Sequence, residues 1–98
     1  MEKAGFVVAI EKNDPELAQH LATLRDFTGQ DGALPARIKL LMAMLADALL
    51  AHADGVKALA ELARAAGASE AEIAETVRMA LQTGGLPALV TATHAYKD

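Results

Sequence analysis

Apolar residues recur at helical spacing along most of the chain. From Asp14 onward, Leu17, Leu21, Leu24 and Phe27 follow one another at three- and four-residue steps, the period of a helix with one apolar face. Asp14 can accept backbone N–H bonds as N-cap, and Pro15 suits the first helical position. The stretch TGQDGAL, with its two glycines, ends this first helix. A second opens at Pro35 and runs to about Ala51. Its centre, Leu40 to Ala46, is apolar on every side and so needs cover on every side. Four other short helices can hardly enclose it, and neighbouring subunits are expected to help. A third helix spans about Gly55 to Ala66, with Val56, Leu59 and Leu62 inward and Gly67 just past its end. Ser69 and Glu72 make a capping box for a fourth. That helix carries Ile73, Val77, Ala80 and Leu81 as its stripe and stops at Gly84 and Gly85. Pro87 opens a fifth, through about Tyr96. Residues 1–13 differ: FVVAI is β-branched, yet no second strand is in sight to pair with it. They read as an N-terminal arm, extended or a helical lead-in, before a single helical domain over 14–98. The expected fold is all-α, a compact bundle of about five short helices around a helical hairpin, and oligomeric.

Composition narrows the function classes. Hydrophobic residues make up 53% and aromatics 3%, so the apolar content is mostly Ala and Leu, which suits closely packed helices. The net charge is −4 with no basic cluster, so no surface is built to neutralise nucleic-acid phosphates. There is no cysteine, which removes disulfides, thiolate catalysis and zinc sites with sulfur ligands. The apolar run Phe6 to Ile10 is too short for a signal-peptide core, and LLMAMLADALLA is broken by Asp47 and far shorter than a membrane span. A soluble cytoplasmic protein with neither a nucleic-acid nor a membrane partner is expected.

Three local patterns, in this order and at this separation, carry a family resemblance. They are Leu34-Pro35 followed by alternating basic and apolar residues, Gly67-Ala68-Ser69 leading to Glu72-Ile73, and Gly84-Gly85-Leu86-Pro87-Ala88. Over residues 14 to 95 the chain resembles the carboxymuconolactone decarboxylase family, which includes the alkylhydroperoxidase D proteins. The resemblance implies an all-α domain around a helical hairpin, assembled as a homo-oligomer, commonly a dimer, trimer or hexamer. The family's peroxidase branch carries Cys-x-x-Cys at a helix start, a His four residues later and a Glu upstream. Here the cysteine positions fall on His52 and Gly55, the histidine position on Leu59 and the glutamate position on Leu40. Thiol–disulfide exchange needs a thiolate, which this chain cannot supply. The decarboxylase branch lacks the cysteines but keeps the histidine, here Leu59, so proton transfer would need another group.

That group is sought in HADGVKAL, residues 52–59. His52 suits a general base; the plain alternative is a half-exposed residue where one helix stops. Asp54 can orient that imidazole, or can act as N-cap of the third helix. Gly55 gives freedom at the break or opens space for a ligand. Lys57 is an anion clamp or a solvated charge. His20 and His94 are single histidines without local ligand spacing, so no metal and no cofactor is expected. Met42 and Met44 read as gap-filling core residues, Tyr96 has no partner visible in sequence, and Glu70, Glu72 and Glu75 belong to a solvated helix face. Three functions are compatible with this reading. One is a non-redox homo-oligomer that binds a small molecule or a protein partner. The second is a cysteine-independent enzyme using His52 and Asp54, and the third is a structural subunit of a larger assembly.

Overall fold

The computed structural model describes residues 3–97, all helix and connection, with no strand among them. The helices are α1 (Gly5–Asn13), α2 (Pro15–Gly29), α3 (Ala36–Leu49), α4 (Ala53–Ala65) and α5 (Glu70–Ala92), followed by a 3₁₀ turn, Thr93–Ala95. The chain divides into two compact units, Met1–Gln30 and Asp31–Asp98.

In the first unit the β-branched FVVAI stretch is helical, the lead-in rather than the extended arm. With no strand to pair with, its backbone groups pair with one another in a helix. Asp14 separates α1 from α2: its N–H closes on Ile10 O at 2.7 Å, and its carboxylate accepts from Leu17 N at 3.0 Å. It is therefore the N-cap expected for the first periodic helix, with Pro15 behind it. Arg25 lies over the Phe6 ring, 5.9 Å from its centroid, which ties α2 to α1. Neither helix holds a buried residue, and Phe6, Leu24 and Phe27 are exposed.

The second unit contains the core. α3 packs on both α4 and α5, and the 3₁₀ turn packs on α4. Among the described residues thirteen hydrophobic side chains are buried, and eight of these are alanines. Ala60, Ala63 and Ala80 have no exposure at all, so helix backbones approach closely there and the larger Met44, Val56, Ile73 and Val77 fill the space between. The caps explain where the helices begin and end. Ala36 N–H is capped by Asp31 Oδ1 at 2.6 Å, while Pro35 stands one residue before α3 and offers no side-chain cap. α4 closes with Gly67 at φ 102°, Ala68 N–H reaching Ala63 O at 2.9 Å and Gly67 N–H reaching Arg64 O at 3.0 Å, the paired bonds of a Schellman end. The Ser69–Glu72 capping box forms in both directions, at 3.0 and 2.9 Å.

The fourth and fifth helices of the sequence reading run on as α5, broken at Gly85 (φ 78°, ψ −168°), which is not helical. Two ion pairs brace the unit. Arg37 Nε is 3.4 Å from Glu72 Oε2, linking α3 to α5. Arg64 grips Glu70 through two bonds of 2.7 and 2.8 Å and donates a third, 2.7 Å, to the Ala95 carbonyl, holding the C-terminal turn against α4. The Arg64 hydrogen bond keeps the Glu70 carboxyl below its ordinary range. Glu72 is lowered too, first by the Ser69 backbone N–H and then by Arg37. Both acidic residues thus have structural work in the bundle.

Candidate functional site

The break between α3 and α4 gathers the candidate chemistry. α3 ends with Ala51 N–H on Ala48 O at 3.2 Å and His52 N–H on Asp47 O at 2.9 Å, again a Schellman end. Its left-handed position is held by Ala51, at φ 59°. Glycine normally sits there, because a Cβ crowds the neighbouring carbonyl. This left-handed turn brings the His52 ring back over the last turn of α3. His52 Nδ1 lies 3.3 Å from Asp47 Oδ2, with the imidazole 65% exposed and the carboxylate 25%.

Gly55 lies beneath that pair. Its φ is not in the left-handed region, but a Cβ added there would run into Asp47 Oδ2 and stand 2.5 Å from His52 Nδ1. The room that its missing side chain leaves is taken up by the Asp47 and His52 side chains. Helix α4 begins at Ala53, so His52 takes the N-cap position without a side-chain capping bond. Asp54 therefore stands inside the first turn and is not the N-cap offered as one reading of DG. The carboxylate beside His52 is Asp47, five residues upstream, which sequence reasoning noted only as an interruption of an apolar run. Its signal was faint: a lone acid in the last turn of an apolar helix, where the helix dipole disfavours it.

Lys57 lines a different depression, of about 210 Å³, with Thr93, His94 and Tyr96 from the C-terminal turn. His20 lies on α2, and no group of three His, Asp or Glu among the described residues is placed to hold a metal. No helix among them is long and apolar enough to cross a membrane.

An apolar groove runs between α3 and α5. Ile38, Met42 and Leu45 line one wall and Met79 the other, with Glu72 and Glu75 at the polar margin, enclosing about 320 Å³. On α3, Leu41, Met44 and Ala48 are buried. Met42, Leu45 and Leu49 repeat the same i, i+3, i+7 pattern one residue later, about 100° around the helix. Met42 is 55% exposed and Met79 46%, so of the two methionines read as core only Met44 is one.

The left-handed Ala51 carries a testable cost. Ala51→Gly should raise stability by about 1 kcal/mol, seen as a higher urea midpoint at fixed chain concentration. An unchanged midpoint would show that the turn is not strained.

A sequence model of the carboxymuconolactone decarboxylase family matches residues 15–98. No curated protein matches the chain, and no solved structure does.

Proposed function

Since the chain belongs to the carboxymuconolactone decarboxylase family, we propose that it is a non-redox, homo-oligomeric member, one that has kept the helical scaffold and binds a small molecule or a protein partner. The observation that carries this reading is the second apolar stripe of α3. Met42, Leu45 and Leu49 are exposed or half-buried, while an unbroken stripe of this kind is ordinarily buried against another surface. Met79 across the groove extends the same patch. A second copy of the chain is the occupant proposed for this face, because methionines adapt their shape to an apolar partner and the same stripe on a second copy supplies one. The exposed Phe6, Leu24 and Phe27 of the first unit add further apolar surface for an assembly to cover. Support for the non-redox part is chemical. With no cysteine in the chain, no thiolate is present to attack a peroxide or a disulfide.

The test is sedimentation equilibrium over a wide concentration range. The chain should run as a multiple of its 10.2 kDa mass. Met42→Glu combined with Met79→Glu should weaken association roughly thirtyfold or more, by placing charge in an apolar contact, and give single chains that retain helical circular dichroism. A wild-type protein that stays at single-chain mass at high concentration would overturn the reading. Native mass spectrometry of the same sample tests for a retained small molecule.

A further inference from the structure

We propose that His52 and Asp47, seated on the bare face of Gly55, form a proton-transfer site for a neutral, apolar small molecule. The inference goes beyond self-association and does not depend on it.

Three local preferences are set aside within nine residues, and all three meet at this imidazole. Asp47 puts a carboxylate in the last turn of α3, where the dipole is unfavourable. Ala51 takes a left-handed conformation that glycine would take without strain. Gly55 occupies the first turn of α4 with an ordinary φ, where alanine would favour the helix more. Each departure has the same geometric result. The left-handed turn carries His52 back, Asp47 meets its Nδ1 at 3.3 Å, and the missing Cβ of Gly55 leaves room for both. Local rules broken together at one point are what a built site looks like.

The chemistry follows from the geometry. Nδ1 is the ring nitrogen that lies beside Asp47, so Nε2 is the nitrogen left to meet a substrate, and the 65% exposure of the side chain makes it reachable. Asp47 acts as a positioning residue: it fixes the ring's orientation and favours the proton on Nδ1. In the step, Nε2 takes a proton from a carbon activated by a neighbouring electron-withdrawing group. The C–H electron pair stays with the substrate, and the imidazolium formed is balanced by the Asp47 carboxylate. Return of the proton to the substrate or to water restores the site, so no oxidant or reductant is needed. Charge selects the substrate class. Asp47 beside the imidazole disfavours an anion, while the exposed Leu50 just before the turn offers apolar contact.

Nitrobenzisoxazole, a neutral aromatic carbon acid, is the probe. A base removes its ring C–H proton, the electron pair forms the nitrile, and the N–O bond breaks to release a coloured phenolate. The protein should accelerate this elimination beyond free imidazole at the same histidine concentration. His52→Gln should lower kcat/KM at least about tenfold, whereas His20→Gln and His94→Gln should leave it unchanged. Asp47→Asn and Gly55→Ala should each lower it in the same direction. Imidazole nitrogen chemical shifts give a readout that a merely structural role would not move. His52 should be the Nδ1–H tautomer in the wild-type chain and revert toward Nε2–H in Gly55→Ala. Should Gly55→Ala fail to fold, Asp47→Asn is read by both assays in its place. A rate no greater than free imidazole, a His52→Gln variant as active as the wild type, or a His52 ring that carries its proton on Nε2 in the wild-type chain would each overturn the proposal.

Discussion

Ile73→Ala is expected to destabilise the second unit by about 3–4 kcal/mol, toward the upper part of the range for truncating a buried aliphatic side chain. Ile73 is 1% exposed and sits among the buried residues of α3, α4 and α5. The size of the effect depends on how far its surroundings can collapse into the void. Here they can collapse little, because eight of the thirteen buried hydrophobic side chains described are alanines. An alanine has no rotamer to swing into a cavity; its Cβ moves only if the helix moves. A domain of this size has roughly 5–10 kcal/mol of stability in all, so the variant should lose a large share of it. Leu50→Ala, at an exposed position, should stay within about 0.5 kcal/mol. Urea denaturation of both at one chain concentration makes the comparison, since assembly would otherwise shift the midpoints. An Ile73→Ala loss below about 1 kcal/mol would mean that the alanine-rich core relaxes freely.

The same alanine richness decides what could be read in the sequence. Where a side chain has a distinctive backbone preference, the reading succeeds. Asp14 caps α2, Ser69 and Glu72 form their box, and Gly67 takes the left-handed position after α4. Where alanine takes an unusual role, nothing announces it. Ala51 adopts a conformation that its type almost never signals, and that hidden turn brings His52 to Asp47. The partner proposed from proximity in sequence was Asp54; the one across the turn was visible only in three dimensions. For Gly55 the sequence leaves freedom at a helix break and open space as alternatives; the helix begins two residues earlier, and the glycine makes room for Asp47 and His52. α1 was obscured for another reason. β-branched residues favour strands only when another strand is present to pair with, and in its absence the helix is formed. The division at 13/14 read from the sequence marks this change in local character, and it lies within the first compact unit. Met42 looked like core because its helix is apolar all round; its exposure is what the self-association reading sets out to explain.

Gly85→Ala should cost about 2 kcal/mol and lower the unfolding midpoint by roughly 10 °C for a domain of this size. The adjacent glycines Gly84 and Gly85 look interchangeable in sequence but meet different constraints. Gly84 has an ordinary helical φ. A Cβ there would run into Leu49 and stand 2.6 Å from the Ala88 Cβ, so its constraint is space. Gly85 has ample room, with only Pro87 Cδ near, at 3.9 Å. Its constraint is conformation: φ 78° with ψ −168° lies in a region that is essentially glycine's alone. Alanine must therefore either bear the strain or straighten the kink. Straightening is blocked two residues on, because Pro87 has no N–H to continue the ladder and its ring opposes the carbonyl one turn back. The cost should consequently appear in stability, with helical content nearly unchanged, because both arms of α5 keep their own hydrogen bonds. Gly84→Ala separates the two cases. There the helical preference for alanine, worth up to about 1 kcal/mol, offsets part of the crowding, and the partly exposed Leu49 side chain can move aside, but the buried Ala88 Cβ can move only with its helix. Gly84→Ala should therefore destabilise as well, through packing and not through backbone strain. If Gly85→Ala proved neutral, backbone conformation would not be what fixes the bend in α5.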